Sequence, residues 1–553
     1  MPETTANGRD PETAPAASDT RDPASRSAPS DASRTAPDGS ADPSGAAAPD
    51  PEGPPGPSGP NHACAHRPGA AGHQRHPHPH PHGHPHPLGT QDAETVPAAA
   101  RIADWAGRLT LDQVPSVVRR AVRRQLLDGV GCLLAGLRKD AARPALAVAR
   151  GLGGPPEAAV PGSTALIGVP AAALATGALV HALDFDDTHP GALVHATAAV
   201  LPALLSTAQH TTATGARVLT AAAAGYETAV RVGLAAPYRF HARGVHATQV
   251  ASVFAAPVTA AVLHGTSAPV LTHALGLAGS SAGGLLEFLD AGSDTKTLHP
   301  GLAAHAGLVA LRLATAGAEG PATVLEGRYG VFAALAGHPV TAAEAAGDLG
   351  EMWHAPAVAA KRHPCCRLMH PALDAARVLH GRLAGAEPAS AVVDVPPGAV
   401  PVVCEPAGPR QAPRTAYEAK FALPYSTALM LLDGRVTLDS YDRPAGARPD
   451  AAALAARVTH RERPWPGPAA EAPGRIRLRT TDGSELSAEV PGGHHPPPPT
   501  EEVLVKFHAN AGGENALTRE LAERVLHIDR EPTLARILDL TAAIAASFER
   551  RTP

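Results

Sequence analysis

Val118, Val122, Leu126, Val130 and Leu133 recur at helical steps, while Arg119, Arg120, Arg123 and Arg124 fall on the opposite face. This pattern predicts an amphipathic helix. Just ahead of it, Thr110-Leu-Asp-Gln113 has the spacing of a capping box. Alanine-rich segments follow at about 140–152, 170–183, 197–212, 216–235, 247–264, 269–288 and 301–316, separated by glycines or prolines. Alanine is the best helix former, and its small side chain lets neighbouring helices approach closely. Residues 93–342 are therefore expected to form one all-helical domain.

The pattern changes after residue 343. Ala391–Val395 and Val400–Cys404 are rich in valine and predict strands. Arg475–Arg479 and Leu486–Val490 alternate around an Asp482-Gly483 turn, which predicts a hairpin. Residues 416–433 between them look helical. Residues 343–500 thus predict a smaller α+β domain, closed by the run His494-His-Pro-Pro-Pro-Pro499. Residues 501–553 predict two C-terminal helices, at about 514–526 and 532–549, packing back on the helical domain. The expected fold class is mainly α: a large all-helical domain, a smaller α+β lid domain and a disordered N-terminal tail.

That tail, residues 1–92, is almost entirely Pro, Ala, Ser, Asp, Gly and His, with Leu88 its one large aliphatic side chain. Such a segment cannot bury enough apolar area to offset its ordering entropy. It lacks the apolar core of a secretory signal, and it is acidic rather than Arg-rich as a transit peptide would be. Its HPHPHPHGHPHP stretch (residues 76–87) reads as a solvated spacer, with metal buffering by the imidazoles as the rival. The net charge of −5 leaves no basic footprint for nucleic acid. No apolar run of about 18 residues free of breakers marks a membrane span. Five irregularly spaced cysteines (Cys64, Cys132, Cys365, Cys366, Cys404) define neither a disulfide framework nor a zinc site, so a reduced, cytoplasmic protein is expected.

The chemistry concentrates at HALDFDDTHPGALVHAT, residues 181–197. Asp184 to Thr188 fall at the end of one predicted helix, and His195 lies near the start of the next. Loops held by rigid helices are common mounts for chemistry. A bland alternative is that Asp186 or Asp187 only caps the next helix. Three further clusters favour a site: Arg243-Gly-Val-His246-Ala-Thr248 at a helix start, Gly292-Ser-Asp-Thr-Lys296-Thr-Leu-His299-Pro-Gly301, and Lys361-Arg362-His-Pro-Cys-Cys-Arg367-Leu-Met-His370. Histidines transfer protons near neutrality, and Lys296, Arg243, Lys361, Arg362 and Arg367 supply cations for carboxylates.

HALDFDDTH, RGVHAT, LLEFLDAGSDTKTLHPGLAAHAG, GPATVLEGRYG, KRHPCCRLMHPALDAA and KFALPYSTALMLLDG, in this order, resemble the MmgE/PrpD family from about residue 98 to 530. That family includes 2-methylcitrate dehydratases, cis-aconitate decarboxylases and an iminodisuccinate epimerase. The resemblance implies a homodimer acting on a small di- or tricarboxylic acid, with neither metal nor organic cofactor. It also implies that Asp184, Thr188, His195, His246 and Lys296 line the site, with Tyr425 reaching in from the lid. Cys366, Arg367 and His370 compete for the lid histidine position, and His370 is preferred. Arg243, Lys361, Arg362 and Arg367 are expected to bind substrate. His195-Ala196-Thr197 departs from the family's His-Pro-Ser and sits one residue further on, which makes His189 a rival.

A cofactor-independent lyase is therefore expected, with 2-methylcitrate-like dehydration ranked ahead of cis-aconitate decarboxylation and iminodisuccinate epimerisation. Two rivals come from other classes. One is a non-catalytic family member whose His-rich tail stores metal. The other is a terpene cyclase, since Asp184-Phe-Asp-Asp187 fits a DxDD pattern. Only 3 Trp, 6 Tyr and 8 Phe are present to steady a carbocation, which argues against the cyclase.

Overall fold

A computed structural model describes residues 96–442, 445–493 and 497–549. The tail reading for residues 1–92, including the His-Pro stretch, lies outside the described residues. The principal helices are α1 (Ala98–Arg108), α2 (Ser116–Arg138), α3 (Arg143–Leu152), α4 (Val169–His181), α5 (Ala196–Thr211), α6 (Gly215–Leu234), α7 (Ala247–His264), α8 (Ala268–Ala278) and α9 (His299–Thr315). The lid domain adds α10 (His370–Arg382) and α11 (Leu423–Asp433). α12 (Thr500–Asn510), α13 (Ala516–Leu526) and α14 (Ala535–Glu549) end the described chain.

α7 is the centre of the helical body, packed by α5, α6, α8 and α9. It is long and apolar enough to cross a membrane, which the sequence reading overlooked. Neighbouring helices surround it on every side, so its apolar faces meet protein. At the crossing of α4 and α9, a Cβ on Gly177 would lie 2.5 Å from Gly301 Cα. Only glycine allows this approach, and it brings the start of α9 to the end of α4.

Val503, Phe507, Leu521, Val525, Ile537 and Ile544 join the core built by α1–α9. The three C-terminal helices therefore pack on the helical body. α12 is a correction, since it had not been expected; it shows only Val503 and Phe507 as a buried apolar pair and follows a proline run.

A second core holds the lid, from Cys365 to Ala488. Its sheet has the order β2-β1-β3-β4, with β1 (Pro388–Val395), β2 (Val458–Glu462), β3 (Gly474–Thr480) and β4 (Glu485–Val490). β1 and β2 are parallel, whereas β1–β3 and β3–β4 are antiparallel. Ile476 and Leu478 point inward between outward arginines, as their alternation predicts.

Other expectations need correction. Val400–Val403 is a helical turn rather than a strand, because Pro401 cannot donate to a ladder while Val400 and Val403 bury one face. The mostly exposed β2 had no apolar signal and was missed. The capping box is real, with Thr110 N–H donating to Gln113 Oε1 at 2.9 Å, but it closes a single 3₁₀ turn before α2. The segment expected at 269–288 stops at Ala278, and the chain then turns through Gly284 at φ +92°.

Candidate active site

α4 ends at His181, and Asp184 follows in the left-handed region at φ +51°. Aspartate tolerates this conformation better than most residues. The turn sends its carboxylate inward, where it is wholly buried. Lys296, just ahead of α9, donates to Asp184 Oδ1, and Lys361 Nζ lies 3.2 Å from the same oxygen. Lys361 also donates to the Asp184 carbonyl at 2.8 Å. Burial alone would raise the Asp184 carboxyl, but the two ammonium groups outweigh it and hold it well below the usual carboxylate range.

The loop is braced from two further sides. Thr188 exchanges both backbone hydrogen bonds with Ala359, at 3.0 and 3.1 Å, which fixes the strand leading to Lys361. Lys506 of α12 donates to the Phe185 carbonyl at 2.6 Å and pairs with Asp128 at 2.7 Å.

His195 occupies the N-cap position of α5. Its Nδ1 donates to the Asp187 carbonyl at 2.8 Å, which leaves the Nε2 lone pair 3.4 Å from Lys296 Nζ. Burial, followed by the Lys296 and Lys361 charges, pushes this imidazole well below its ordinary pKa. His246 occupies the N-cap position of α7, and its Nδ1 meets His299 Nδ1 at 3.0 Å. Burial and His299 likewise keep His246 neutral, and burial pulls His299 down to about 3. Behind them, His181 Nδ1 donates to Asp186 Oδ2 at 2.8 Å.

The altered His-Ala-Thr segment has a structural account. Thr197 N–H donates to Asp187 Oδ1 at 3.0 Å, and the Thr197 hydroxyl bridges Asp187 and Tyr226. Asp187 thus caps α5, as the bland alternative had it for that residue. Leu193, also left-handed at φ +51°, closes a tight turn between His189 and Val194. His195, rather than His189, faces Lys296.

Burial pushes the Asp187 carboxyl up to about 8, well above its unfolded value. The folded state then holds a proton that the unfolded chain releases. This contribution to stability is present at acid pH and lost as pH rises from about 4 towards 8, at about 1.4 kcal/mol per unit. Asp187→Asn needs no such proton. Its melting temperature relative to wild type is expected to climb steadily between pH 5 and pH 8; a pH-independent difference would refute a protonated Asp187.

Asp184, Thr188, His195, His246, Lys296 and Lys361 line one partly open cavity. From the lid, Cys366, Arg367 and Phe421 face it. A larger surface cavity of about 750 Å³ lies between α12 and the lid and shares only Lys361 with it. The convergent charges and histidines select the smaller one.

Four expected residues are elsewhere. Arg243 is exposed and packs its guanidinium against Gly337. Arg362 is exposed and pairs with Glu502 at 3.1 Å. His370 is buried behind Arg367, which donates to its Nδ1 at 3.3 Å, and of the three lid candidates Cys366 and Arg367 line the cavity. Tyr425 is enclosed in the lid core, on the inner side of α11. Conversely, His241 also lines the cavity, and His299 stands directly behind His246. The Leu298-His299-Pro300 helix start was the signal that could have found His299.

Residues 100–343 match the MmgE/PrpD N-terminal domain and residues 363–530 match its C-terminal domain. The chain belongs to the MmgE/PrpD family. Cis-aconitate decarboxylase of Aspergillus terreus is 28% identical over 467 residues, spanning 80% of this chain and 95% of that protein. The cis-aconitate decarboxylase-like protein oryM of Aspergillus oryzae is 27% identical over 62% of this chain and 75% of its own length. Human cis-aconitate decarboxylase is 30% identical over 52% of this chain and 60% of its own length. Together these similarities support a lyase-type member of the MmgE/PrpD family. They also reverse the expected order of reactions, since the relatives favour decarboxylation over 2-methylcitrate dehydration.

Proposed function

We propose that this protein is a carboxy-lyase that removes CO2 from cis-aconitate or a closely similar unsaturated tricarboxylate. The observation that carries the reading is the Lys296–Asp184–Lys361 cluster beside neutral His195, in a chain whose similar relatives are named cis-aconitate decarboxylases. Two ammonium groups share one carboxylate, so the cluster keeps a net positive charge, and Arg367 adds another across the cavity. A polyanion is the complementary ligand.

In the reaction the bond from carbon to one carboxylate breaks, and its electron pair passes into the system conjugated with a remaining carboxylate. The surrounding cations stabilise that developing charge more than the dispersed charge of the substrate. The Lys296 ammonium, oriented by Asp184 and His195, returns a proton to carbon. Its aqueous replacement reaches Lys296 through His195 Nε2. The products are CO2 and an unsaturated dicarboxylate.

Incubation with cis-aconitate in D2O tests this directly. The expected result is CO2 release together with a five-carbon diacid carrying one deuterium at carbon. Water loss from 2-methylcitrate without CO2 release from cis-aconitate would assign the dehydratase reaction instead.

A further inference from the structure

We propose that His181, His195 and His246 form a buried binding site for one zinc-class divalent transition metal, and that the bound ion inhibits the enzyme. The inhibitory half rests on the function proposed above, whereas the binding half stands on geometry alone.

One ring nitrogen from each histidine lies within 4.8 Å of the other two. The ring centroids are 4.7 Å apart for His181–His195, 5.7 Å for His181–His246 and 6.1 Å for His195–His246. A tetrahedral ion bonded at about 2.0–2.1 Å needs nitrogens roughly 3.4 Å apart. Shifts of about an ångström in the side chains close the difference. All three rings are mounted on rigid helix ends: the last residue of α4 and the N-caps of α5 and α7.

The outer hydrogen bonds of His181 and His195 set the tautomers that a metal requires. His181 Nδ1 donates to the Asp186 carboxylate at 2.8 Å, and its buried Nε2 has no hydrogen-bond partner. This is the carboxylate–histidine arrangement that orients metal ligands and strengthens them as bases. His195 Nδ1 donates to a backbone carbonyl, which leaves its Nε2 for another role; His246 Nδ1 meets His299 Nδ1, and His246 offers its Nε2 to a metal when it is the donor in that pair. Burial keeps all three imidazoles neutral, the form that coordinates metal. The ordinary reading of these rings as a hydrogen-bonded proton network accounts for His195 and His246. It leaves the inward lone pair of His181 unexplained.

Lys296 is the competitor, because its Nζ stands 3.4 Å from His195 Nε2. An ion must take that lone pair from it, while Lys296 keeps its bond to Asp184. Asp186, on His181, offsets part of the added charge. His195 and His246 line the cavity, so the fourth coordination position opens there and accepts water or a carboxylate. Coordination occupies the nitrogens that would otherwise handle protons, which makes the ion an inhibitor.

Cobalt(II) titration of the full-length, chelator-stripped protein tests binding without any assay of turnover. One equivalent is expected to produce the intense visible bands of four-coordinate cobalt. Asp186→Asn should weaken this binding about 10–100-fold, the usual loss when a ligand's outer partner is removed, and His181→Asn at least as much. Replacing His76, His78, His80, His82, His84 and His86 with alanine should leave the bands intact. Weak six-coordinate absorption alone, or bands that vanish with the tail histidines, would overturn the site. If His181→Asn does not fold, as judged by melting, Asp186→Asn and the wild-type spectrum decide. Zn2+ should then suppress CO2 release from cis-aconitate, and a chelator should restore it. Binding with unchanged or raised turnover overturns the inhibitory half. A protein inactive on cis-aconitate that still shows the cobalt bands separates failure of the proposed function from failure of the site.

Discussion

Lys296→Ala is expected to lower kcat about 10²–10⁴-fold with little change in KM, the signature of a lost proton-transfer group. Lys361 and Arg367 remain in the cavity to neutralise carboxylates, so binding should survive. Lys296 and His195 also touch, at 3.4 Å, and should act as a unit. The Lys296→Ala, His195→Ala double variant is therefore expected to be little slower than the worse single variant. Steady-state kinetics on all three, with folding checked by melting, decide the matter. A rise confined to KM would reduce Lys296 to a carboxylate clamp, and losses that multiply would separate the two residues.

Asp184→Ala is expected to destabilise the fold by about 3–5 kcal/mol, the usual cost of stranding a buried charge. Here two ammonium groups, on Lys296 and Lys361, lose their common counterion. Asp184→Asn retains a residue that tolerates φ +51° but removes the charge. It should recover only the backbone part of the loss, about 1–2 kcal/mol. Denaturant midpoints for the two variants measure this. A near-neutral Asp184→Asn would mean that one lysine sheds its proton when its partner goes.

Each of the four polar clusters that the sequence singled out contributes to the cavity, although they are far apart in the chain. Asp184, His195, His246 and Lys296 stood out because charged and titratable side chains are rare among the surrounding alanines. The lid was harder to read. Lys361-Arg-His-Pro-Cys-Cys-Arg367 holds several cations in a row, and periodicity cannot say which of them face inward. Lys361 points in because the Thr188–Ala359 ladder sets its register; Arg362, one residue on, points to solvent and meets Glu502. Arg367 lies at the cavity in a 3₁₀ turn, and His370, at the start of α10, lies behind it.

The sequence by itself determined the helical class, the long Ala-rich elements and the change to an α+β lid, because these rest on local propensity and short-period patterning. It also determined the family, through ordered motifs that survive divergence. Only the tertiary structure decided the site's wiring. The Gly177–Gly301 crossing brings Lys296 to Asp184, a left-handed Leu193 turns the chain just ahead of His195, and Thr197 holds Asp187 as a cap. Each is a contact between residues distant in the chain or a turn set by packing. A linear pattern of polar and apolar positions carries neither.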